Sequence, residues 1–200
     1  MLHRAADSSG DFLVLTHGAG GNSNAALLVA LAEEFAAGGI SVLRCDLPYR
    51  QRRPHGPPSP ANAKDDQEGL RRAVALMKDK SEGRAFLAGS SYGGRQASLL
   101  AASHPGLVDG LVLLSYPLHP PGKPAQLRTT HFSALRTPSL FVSGTKDVFG
   151  AIAELQAAIK LIPARTELVQ IDGAPHGLSK KGSAQDVARI VRQRFQSFFV

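Results

Sequence analysis

The sequence has few of the residues that cross-link small proteins or anchor them in membranes. It contains one cysteine, Cys45, and no tryptophan among its 200 residues. A single cysteine excludes an internal disulfide and any zinc site built from several cysteines. No apolar run approaches the roughly 18–20 residues that cross a bilayer. Residues 1–4 lead into a polar stretch that lacks the apolar segment of a signal peptide. These absences favour a soluble, cytoplasmic protein without a membrane partner.

The composition is that of one globular domain. The chain of 21.1 kDa is 43% hydrophobic, which predicts a single domain over residues 1–200 with a sizeable core. Lys and Arg number 23 against 16 Asp and Glu, an excess that nucleic acid, an acidic substrate or only a basic surface would explain. No nucleic-acid-binding motif accompanies the charge, and Phe and Tyr together number only 12. We therefore expect no nucleic-acid partner.

Short apolar runs alternate with helical patterns along the whole chain, which is typical of an α/β fold. Six runs have the length and composition of buried strands, namely 12–15, 40–45, 85–88, 111–114, 139–142 and 167–171. The alternation predicts a three-layer α/β/α sandwich with a mainly parallel six-stranded sheet. Residues 46–60 hold five of the 13 prolines and are predicted to form a long loop. Because ligands bind beyond the C-terminal ends of such strands, the residues that follow each strand are the candidates for function.

Two glycine loops come close to nucleotide-binding motifs without completing them. Residues 18–23 nearly match G-x-G-x-x-G, but Ser23 replaces the third glycine, which close packing of helix on strand requires. Residues 89–96 have the spacing of a phosphate loop, but they carry Arg and Gln where Lys and a hydroxyl belong. His119 and His131 have no carboxylate at ligand spacing. The sequence therefore predicts neither a cofactor nor a metal ion.

A different motif is complete around Ser91. Residues 89–93 read G-x-S-x-G between a predicted strand and a predicted helix, which is the context of a nucleophile elbow. Asp147 follows the fifth strand and His176 follows the sixth, so the order is Ser, Asp, His. This pattern predicts Ser91 as nucleophile, His176 as general base and Asp147 as the acid that orients the histidine. Asp172 also lies at a strand end and competes for the last role.

An oxyanion hole requires two N–H groups aimed at the developing negative charge. The residue after the nucleophile is Tyr92, and its backbone N–H is one candidate. The loop after the first strand supplies the other, from Ala19 or equally from Gly20. His17, in the same loop, is expected to be structural.

The loop after the second strand carries a cluster of basic and aromatic side chains around Arg50. Tyr49, Arg52, Arg53 and His55 are predicted to form a substrate-binding wall that prefers acidic or polar acyl groups. A solvated basic loop is the competing interpretation for any such run of charge.

Five segments of the chain resemble the α/β-hydrolase superfamily, and in particular its small cap-less members of the dienelactone-hydrolase-like kind. They are residues 16–21 (THGAGG), 46–49 (DLPY), 89–94 (GSSYGG), 143–147 (SGTKD) and 175–177 (PHG). The resemblance implies an eight-stranded sheet at full size. Only six strands are predicted here, and the first of them resembles the family's third strand. The first antiparallel pair is therefore expected to be lost or very short. It places the acid after the fifth strand and therefore favours Asp147 over Asp172. Dienelactone hydrolases use a cysteine nucleophile, and Ser91 stands at that position.

These observations together predict a serine hydrolase without cofactor. It would cleave a carboxylic ester or thioester of a small-molecule acyl substrate through an acyl-serine intermediate. A peptidase with the same triad is one alternative, and a non-catalytic interaction subunit on a hydrolase scaffold is another. The trimmed sheet edge also suggests a homodimer in which a second copy covers that edge.

Overall fold

Six parallel strands and one short antiparallel strand form a single sheet in this computed structural model, which describes residues 1–7, 9–178 and 183–200. The strands lie in the order β1-β3-β2-β4-β5-β6-β7. Their bounds are β1 Leu2–His3, β2 Phe12–Thr16, β3 Ser41–Cys45, β4 Ala85–Ser90, β5 Gly110–Leu114, β6 Ser139–Gly144 and β7 Thr166–Ile171. All six predicted strands are present, and the predicted α/β sandwich with a mainly parallel sheet and no cap is confirmed.

Helices cover both faces of the sheet. They are α1 Ala26–Ala37, α2 Pro48–Arg52, α3 Ala63–Lys78, α4 Tyr92–Ser103, α5 Ile152–Ile159 and α6 Ala184–Phe199. Helices α1 and α6 pack on one face, and α3, α4 and α5 pack on the other. Because alternate side chains of a strand point to opposite faces, β2 contributes Leu13 and Leu15 to the first core and Phe12 and Val14 to the second. The central strands β2, β4, β5 and β6 are buried on both faces, which explains their continuous apolar runs.

The structure adds a short strand that the sequence pattern does not reveal. Strand β1 pairs antiparallel with β3 over two residues, Leu2 with Leu43 and His3 with Val42. Two residues are too few to show any hydrophobic periodicity, so no pattern marks them as a strand. The antiparallel part of the sheet is thus very short in this chain, as the resemblance implied.

A second difference lies within residues 46–60, where a loop was predicted. Helix α2 occupies five of these residues and buries the side chains of Tyr49 and Arg50. Pro48 stands at the start of α2, where its fixed φ angle suits a helix and its missing N–H leaves no bond unmade. Five residues are too few to show helical periodicity. The prolines around them indicated a loop, and the sequence therefore did not predict α2.

Because β2 to β7 are parallel, their C-terminal ends all lie on the same side of the molecule. Ser91, Asp147 and His176 each follow the C-terminal end of a strand, β4, β6 and β7 respectively. Among the described residues, no helix is long and apolar enough to cross a membrane.

At the opposite, N-terminal ends of β2 and β4, the buried carboxylate of Asp11 pairs with a half-exposed Arg84, and this pair supplies the first testable prediction. Asp11 is almost fully buried and accepts hydrogen bonds from the Arg84 backbone N–H (2.8 Å) and guanidinium (2.7 Å to Nη2). Asp11→Ala leaves the Arg84 backbone N–H and guanidinium without this acceptor, so we expect the free energy of unfolding to fall by about 1–3 kcal/mol in urea titrations.

Asp186→Ala is the matched control, because it removes an exposed carboxylate that pairs with Arg189 at 3.1 Å. Such surface pairs contribute at most about 1 kcal/mol. Equal destabilisation by the two substitutions would contradict a special contribution from Asp11.

Candidate active site

Ser91 lies on a sharp turn between β4 and α4, in a backbone conformation that side chains rarely adopt. Its φ is 49° and its ψ is −114°. The turn is possible because the backbone around it is packed without intervening side chains. A Cβ added at Gly89 would lie 2.4 Å from the carbonyl carbon of Gly93, and one at Gly93 would lie 2.4 Å from the carbonyl oxygen of His17. The two glycines of G-x-S-x-G are therefore required by contact distances.

The structure brings Ser91, His176 and Asp147 into one hydrogen-bonded chain. His176 Nε2 lies 2.8 Å from Ser91 Oγ, and His176 Nδ1 lies 2.9 and 2.8 Å from the two carboxylate oxygens of Asp147. A carboxylate accepts hydrogen bonds, so the ring proton sits on Nδ1 and Nε2 is free to accept from the serine hydroxyl. The Asp147 side chain is only 1% exposed, which leaves its charge directed at the histidine.

The competing acid, Asp172, is not part of this arrangement. It is exposed, and its carboxylate accepts a hydrogen bond from Thr145 Oγ1 at 3.3 Å. The strand end alone did not distinguish the two acids. The turn after β6 does so by directing Asp147 towards His176.

Phe149 is a further residue of the site that the sequence pattern does not single out. Its ring lies against the His176 imidazole, with 4.1 Å between ring centroids and 30° between planes. Its backbone N–H donates to Asp147 Oδ1 at 2.8 Å. Phe149 therefore covers one face of the histidine and also holds the acid. Its position two residues after Asp147, in a turn, was the only signal available.

The loop after β2 lies directly against the serine. A Cβ at Gly18 would be 3.2 Å from the Cβ of Ser91. Tyr49 Oη donates to the carbonyl oxygens of Gly18 (3.2 Å) and Ala19 (2.9 Å), and Arg50 Nη2 donates to that of Ala19 (3.0 Å). In a trans peptide the N–H points away from the C=O, so anchoring these carbonyls turns the N–H groups of Ala19 and Gly20 away from Tyr49 and Arg50.

The other candidate donor is the backbone N–H of Tyr92, the first residue of α4. The first N–H groups of a helix have no acceptor within that helix and are available to an anion. Tyr92 Oη donates to Asp66 Oδ2 at 2.8 Å, while Asp66 Oδ1 accepts the Tyr49 N–H at 3.0 Å. Asp66 is fully buried and links α2, α3 and α4 beneath the candidate oxyanion hole. Nothing in the sequence pattern distinguishes it from the acidic residues around it.

His17 has the structural position expected of it. Its Nδ1 donates to the carbonyl of Gly18 at 2.8 Å, and its Nε2 accepts the backbone N–H of Leu47 at 3.1 Å. One donor and one acceptor describe a neutral imidazole. Burial lowers the pKa of His17 and favours that neutral form.

The side chains of the predicted substrate-binding wall do not line the cleft, although residues 57–60 of the same loop do. A cleft of about 920 Å³ opens above Ser91 and His176, and Tyr49, Arg52, Arg53 and His55 are all absent from its described lining. Tyr49 is buried behind the loop that it anchors. Arg52 is exposed and pairs with Asp65 at 2.9 Å. The structure therefore does not bring these four side chains to the described lining of the cleft, since α2 buries Tyr49 and leaves Arg52 exposed.

The sheet with its elbow and its three residues at strand ends defines the class to which the protein belongs. Residues 9–197 match the family described as the alpha/beta hydrolase domain, and the chain is therefore a member of the α/β hydrolase family.

Solved structures of low sequence identity share the fold. A dienelactone hydrolase from Anabaena variabilis is 20% identical, with a TM-score of 0.77 and coverage of 100% of this chain and 91% of that one. A serine hydrolase without lid from Xanthomonas campestris is 17% identical, with a TM-score of 0.77 and coverage of 99% and 88%. The esterase domain of a Rhodothermus marinus protein is 16% identical, with a TM-score of 0.73 and coverage of 100% and 92%.

The close packing at the elbow can be tested through Gly93. Alanine is normally favoured over glycine within a helix by about 1 kcal/mol. At this position a Cβ collides with the His17 carbonyl oxygen, so we expect Gly93→Ala to destabilise the protein by about 2 kcal/mol or more in thermal and urea unfolding.

Gly20→Ala is the control, because a Cβ there meets no atom within 4 Å. A Gly93→Ala protein as stable as the Gly20→Ala protein would show that the elbow tolerates a side chain.

Proposed function

We propose that this protein is a serine hydrolase that cleaves carboxylic esters or thioesters through an acyl-serine intermediate. The observation that carries the proposal is the hydrogen-bonded chain from Ser91 Oγ through His176 to Asp147, with 2.8 Å at its serine end. A serine hydroxyl is a weak nucleophile unless an adjacent base takes its proton. His176 is within reach for that transfer, and Asp147 stabilises the imidazolium that results.

In the first half of the reaction, Ser91 Oγ attacks the acyl carbon while His176 Nε2 takes the hydroxyl proton. The carbonyl oxygen becomes an oxyanion, which the N–H groups of Tyr92 and of Ala19 or Gly20 stabilise. The C–O or C–S bond to the leaving group then breaks, and His176 returns the proton to the departing alcohol or thiol. The product of this half is an acyl ester of Ser91.

In the second half, water replaces the leaving group. His176 takes a proton from the water as it attacks the acyl carbon, and the same N–H groups hold the second oxyanion. The bond to Ser91 Oγ breaks, the serine recovers its proton from His176, and the free acid leaves. Each step requires the same proton position on His176, which the Asp147 carboxylate maintains.

Two further observations support an ester or thioester as substrate. The described helices and strands leave the cleft above Ser91 open, without a cap, so a small acyl group reaches the serine directly. The structural neighbours include a serine hydrolase without lid and the esterase domain of a Rhodothermus marinus protein.

The assignment of the nucleophile is tested with a fluorophosphonate probe and an ester assay. The wild-type protein should be labelled, and Ser91→Ala should lose both labelling and turnover, with kcat falling by at least about 10⁴-fold. Ser90→Ala is the matched control from the same turn and should retain labelling. A wild-type protein that the probe does not label would favour the non-catalytic interaction subunit instead.

The assignment of the acid is tested by Asp147→Asn and Asp172→Asn. Asp147→Asn retains the shape but loses the charge that holds the imidazole, so kcat should fall by roughly 10³- to 10⁴-fold. Asp172→Asn should leave kcat within about threefold of wild type, since Asp172 is exposed and bonds to Thr145. A larger loss from Asp172→Asn than from Asp147→Asn would reverse the assignment.

A further inference from the structure

The charge of the cleft is all of one sign. Arg95 and Arg128 both line it together with Ser91 and His176, and no Asp or Glu is present in its described lining. The carboxylates behind the wall already have partners. Asp147 accepts from His176, and Asp66 accepts from Tyr92. Two cationic side chains therefore face the cleft without a carboxylate to neutralise them.

Arg95 is fixed relative to the nucleophile by the geometry of α4. Its backbone N–H donates to the carbonyl of Ser91 at 2.9 Å, so it lies one helical turn beyond the serine on the same side of the helix. Its Nε is buried, and no described residue accepts a hydrogen bond from it. A buried guanidinium N–H without an acceptor is costly, which makes it a position prepared for a ligand acceptor.

Arg128 approaches the cleft from the segment that follows β5. Its backbone N–H donates to the Leu118 carbonyl at 2.8 Å, and its carbonyl accepts Tyr116 Oη at 2.6 Å. The guanidinium has one protein acceptor among the described residues, the carbonyl of Pro117 at 3.2 Å from Nη1. Burial and the neighbouring positive charge of Arg95 lower the pKa of Arg128. The two arginines are therefore close enough to repel each other.

A third, neutral donor lies beside the two charges. Gln96 is fully buried and lines the cleft. Its Oε1 accepts from Gln67 Nε2 at 2.9 Å, but its own Nε2 has no acceptor among the described residues. His131 adds no charge, because burial and Arg95 lower its pKa to about 4, and its Nε2 lies 2.8 Å from Ser98 Oγ. On the side of the cleft formed by α4, Arg95 Nε and Gln96 Nε2 thus have no acceptor among the described residues, and no Asp or Glu is present in the described lining.

We infer that Arg95 and Arg128 form a subsite for an oxyanion group of the substrate, a carboxylate or a phosphate, held beside the acyl group that Ser91 attacks. Guanidinium groups without a carboxylate partner suit such ligands because their N–H donors match the oxygens of a carboxylate or a phosphate. The inference rests on the proposed ester hydrolysis and narrows its substrate class to acidic esters or thioesters. From the sequence, a preference for acidic acyl groups was assigned to the loop after β3. The inference assigns it instead to Arg95 on α4 and to Arg128.

One helical turn separates Arg95 from Ser91, a rise of about 5.4 Å along the helix. Because this rise separates the two backbones and not the guanidinium from Ser91 Oγ, the test uses substrates that cover a range of chain lengths. Monoethyl esters of succinate, glutarate and adipate sample that range. Each has a neutral counterpart of the same shape in which a carboxamide replaces the carboxylate.

The experiment measures kcat/KM for these acid and amide pairs in a pH-stat. Wild type should prefer the acid of the best pair by about 10- to 100-fold, the range expected for hydrogen bonds to a charged group. Arg95→Met and Arg128→Met should each bring the acid-to-amide ratio towards 1. A phosphonate in place of the carboxylate, and a carboxylate moved to the alcohol side, show which anion and which side of the ester the subsite takes.

Arg189→Met is the matched control, because it removes an exposed arginine that pairs with Asp186 on α6. It should leave the acid-to-amide ratio of wild type unchanged. Arg52→Ala combined with Arg53→Ala should also leave that ratio unchanged. A ratio near 1 in wild type for every anion tested, or a ratio unaffected by both Arg95→Met and Arg128→Met, would overturn the inference. If either Met variant fails to fold, the corresponding Arg→Gln variant replaces it.

Binding separates this inference from the proposed hydrolysis. Glutarate binding is measured by calorimetry in wild type and in Arg95→Met, where no turnover is required. If the protein hydrolyses the carboxylate and carboxamide esters of every pair equally well, the subsite is overturned and the proposed hydrolase activity is retained. Glutarate binding that weakens at least 10-fold in Arg95→Met, in a protein that hydrolyses no ester, would support the subsite and overturn the hydrolase.

Discussion

The contact of backbone with backbone at the serine turn is the constraint on which the rest of the site depends. Ser91 adopts its strained conformation only because Gly89 and Gly93 bring their main chains together without side chains between them. At the same turn, Gly93 packs against the His17 carbonyl oxygen and Gly18 packs against Ser91. The position of the first loop, and with it the candidate oxyanion donors, follows from the absence of three Cβ atoms.

Around this contact the protein uses buried polar groups to hold backbone rather than to bind substrate. His17, Tyr49 and Arg50 all bond to carbonyls of the first loop, and Asp66 joins Tyr49 to Tyr92. Buried polar groups are stable only when their hydrogen bonds are made, so each of these side chains has one arrangement available. The unmatched donors of Arg95 and Gln96 are exceptions to this rule, and they lie where a substrate would be. Ser115 Oγ and Ser143 Oγ are also buried without a partner among the described residues, but a hydroxyl is neutral and neither residue lines the cleft.

The fold was largely predictable because burial on both faces imposes continuous apolar runs on the central strands β2, β4, β5 and β6. All six runs became strands, and their bounds moved by at most two residues. Elements too short for any period were not predictable, which is why β1 and α2 were missed. Missing α2 affected the prediction of the site more than its length suggests. This helix directs the side chains of Tyr49 and Arg50 into the protein and that of Arg52 into solvent.

The sequence by itself determined the order of Ser91, Asp147 and His176 and the requirement for glycines around the serine. These features are local, since a tight turn and a strand end are each encoded by a few consecutive residues. Only the tertiary structure decided which acid meets the histidine, that Phe149 covers it, and which arginines face the cleft. Those choices depend on the directions of side chains from separate strands and helices. Arg53 and Arg95 are equally basic in the sequence, and only the packing of α2 and α4 places one outside the cleft and the other within it.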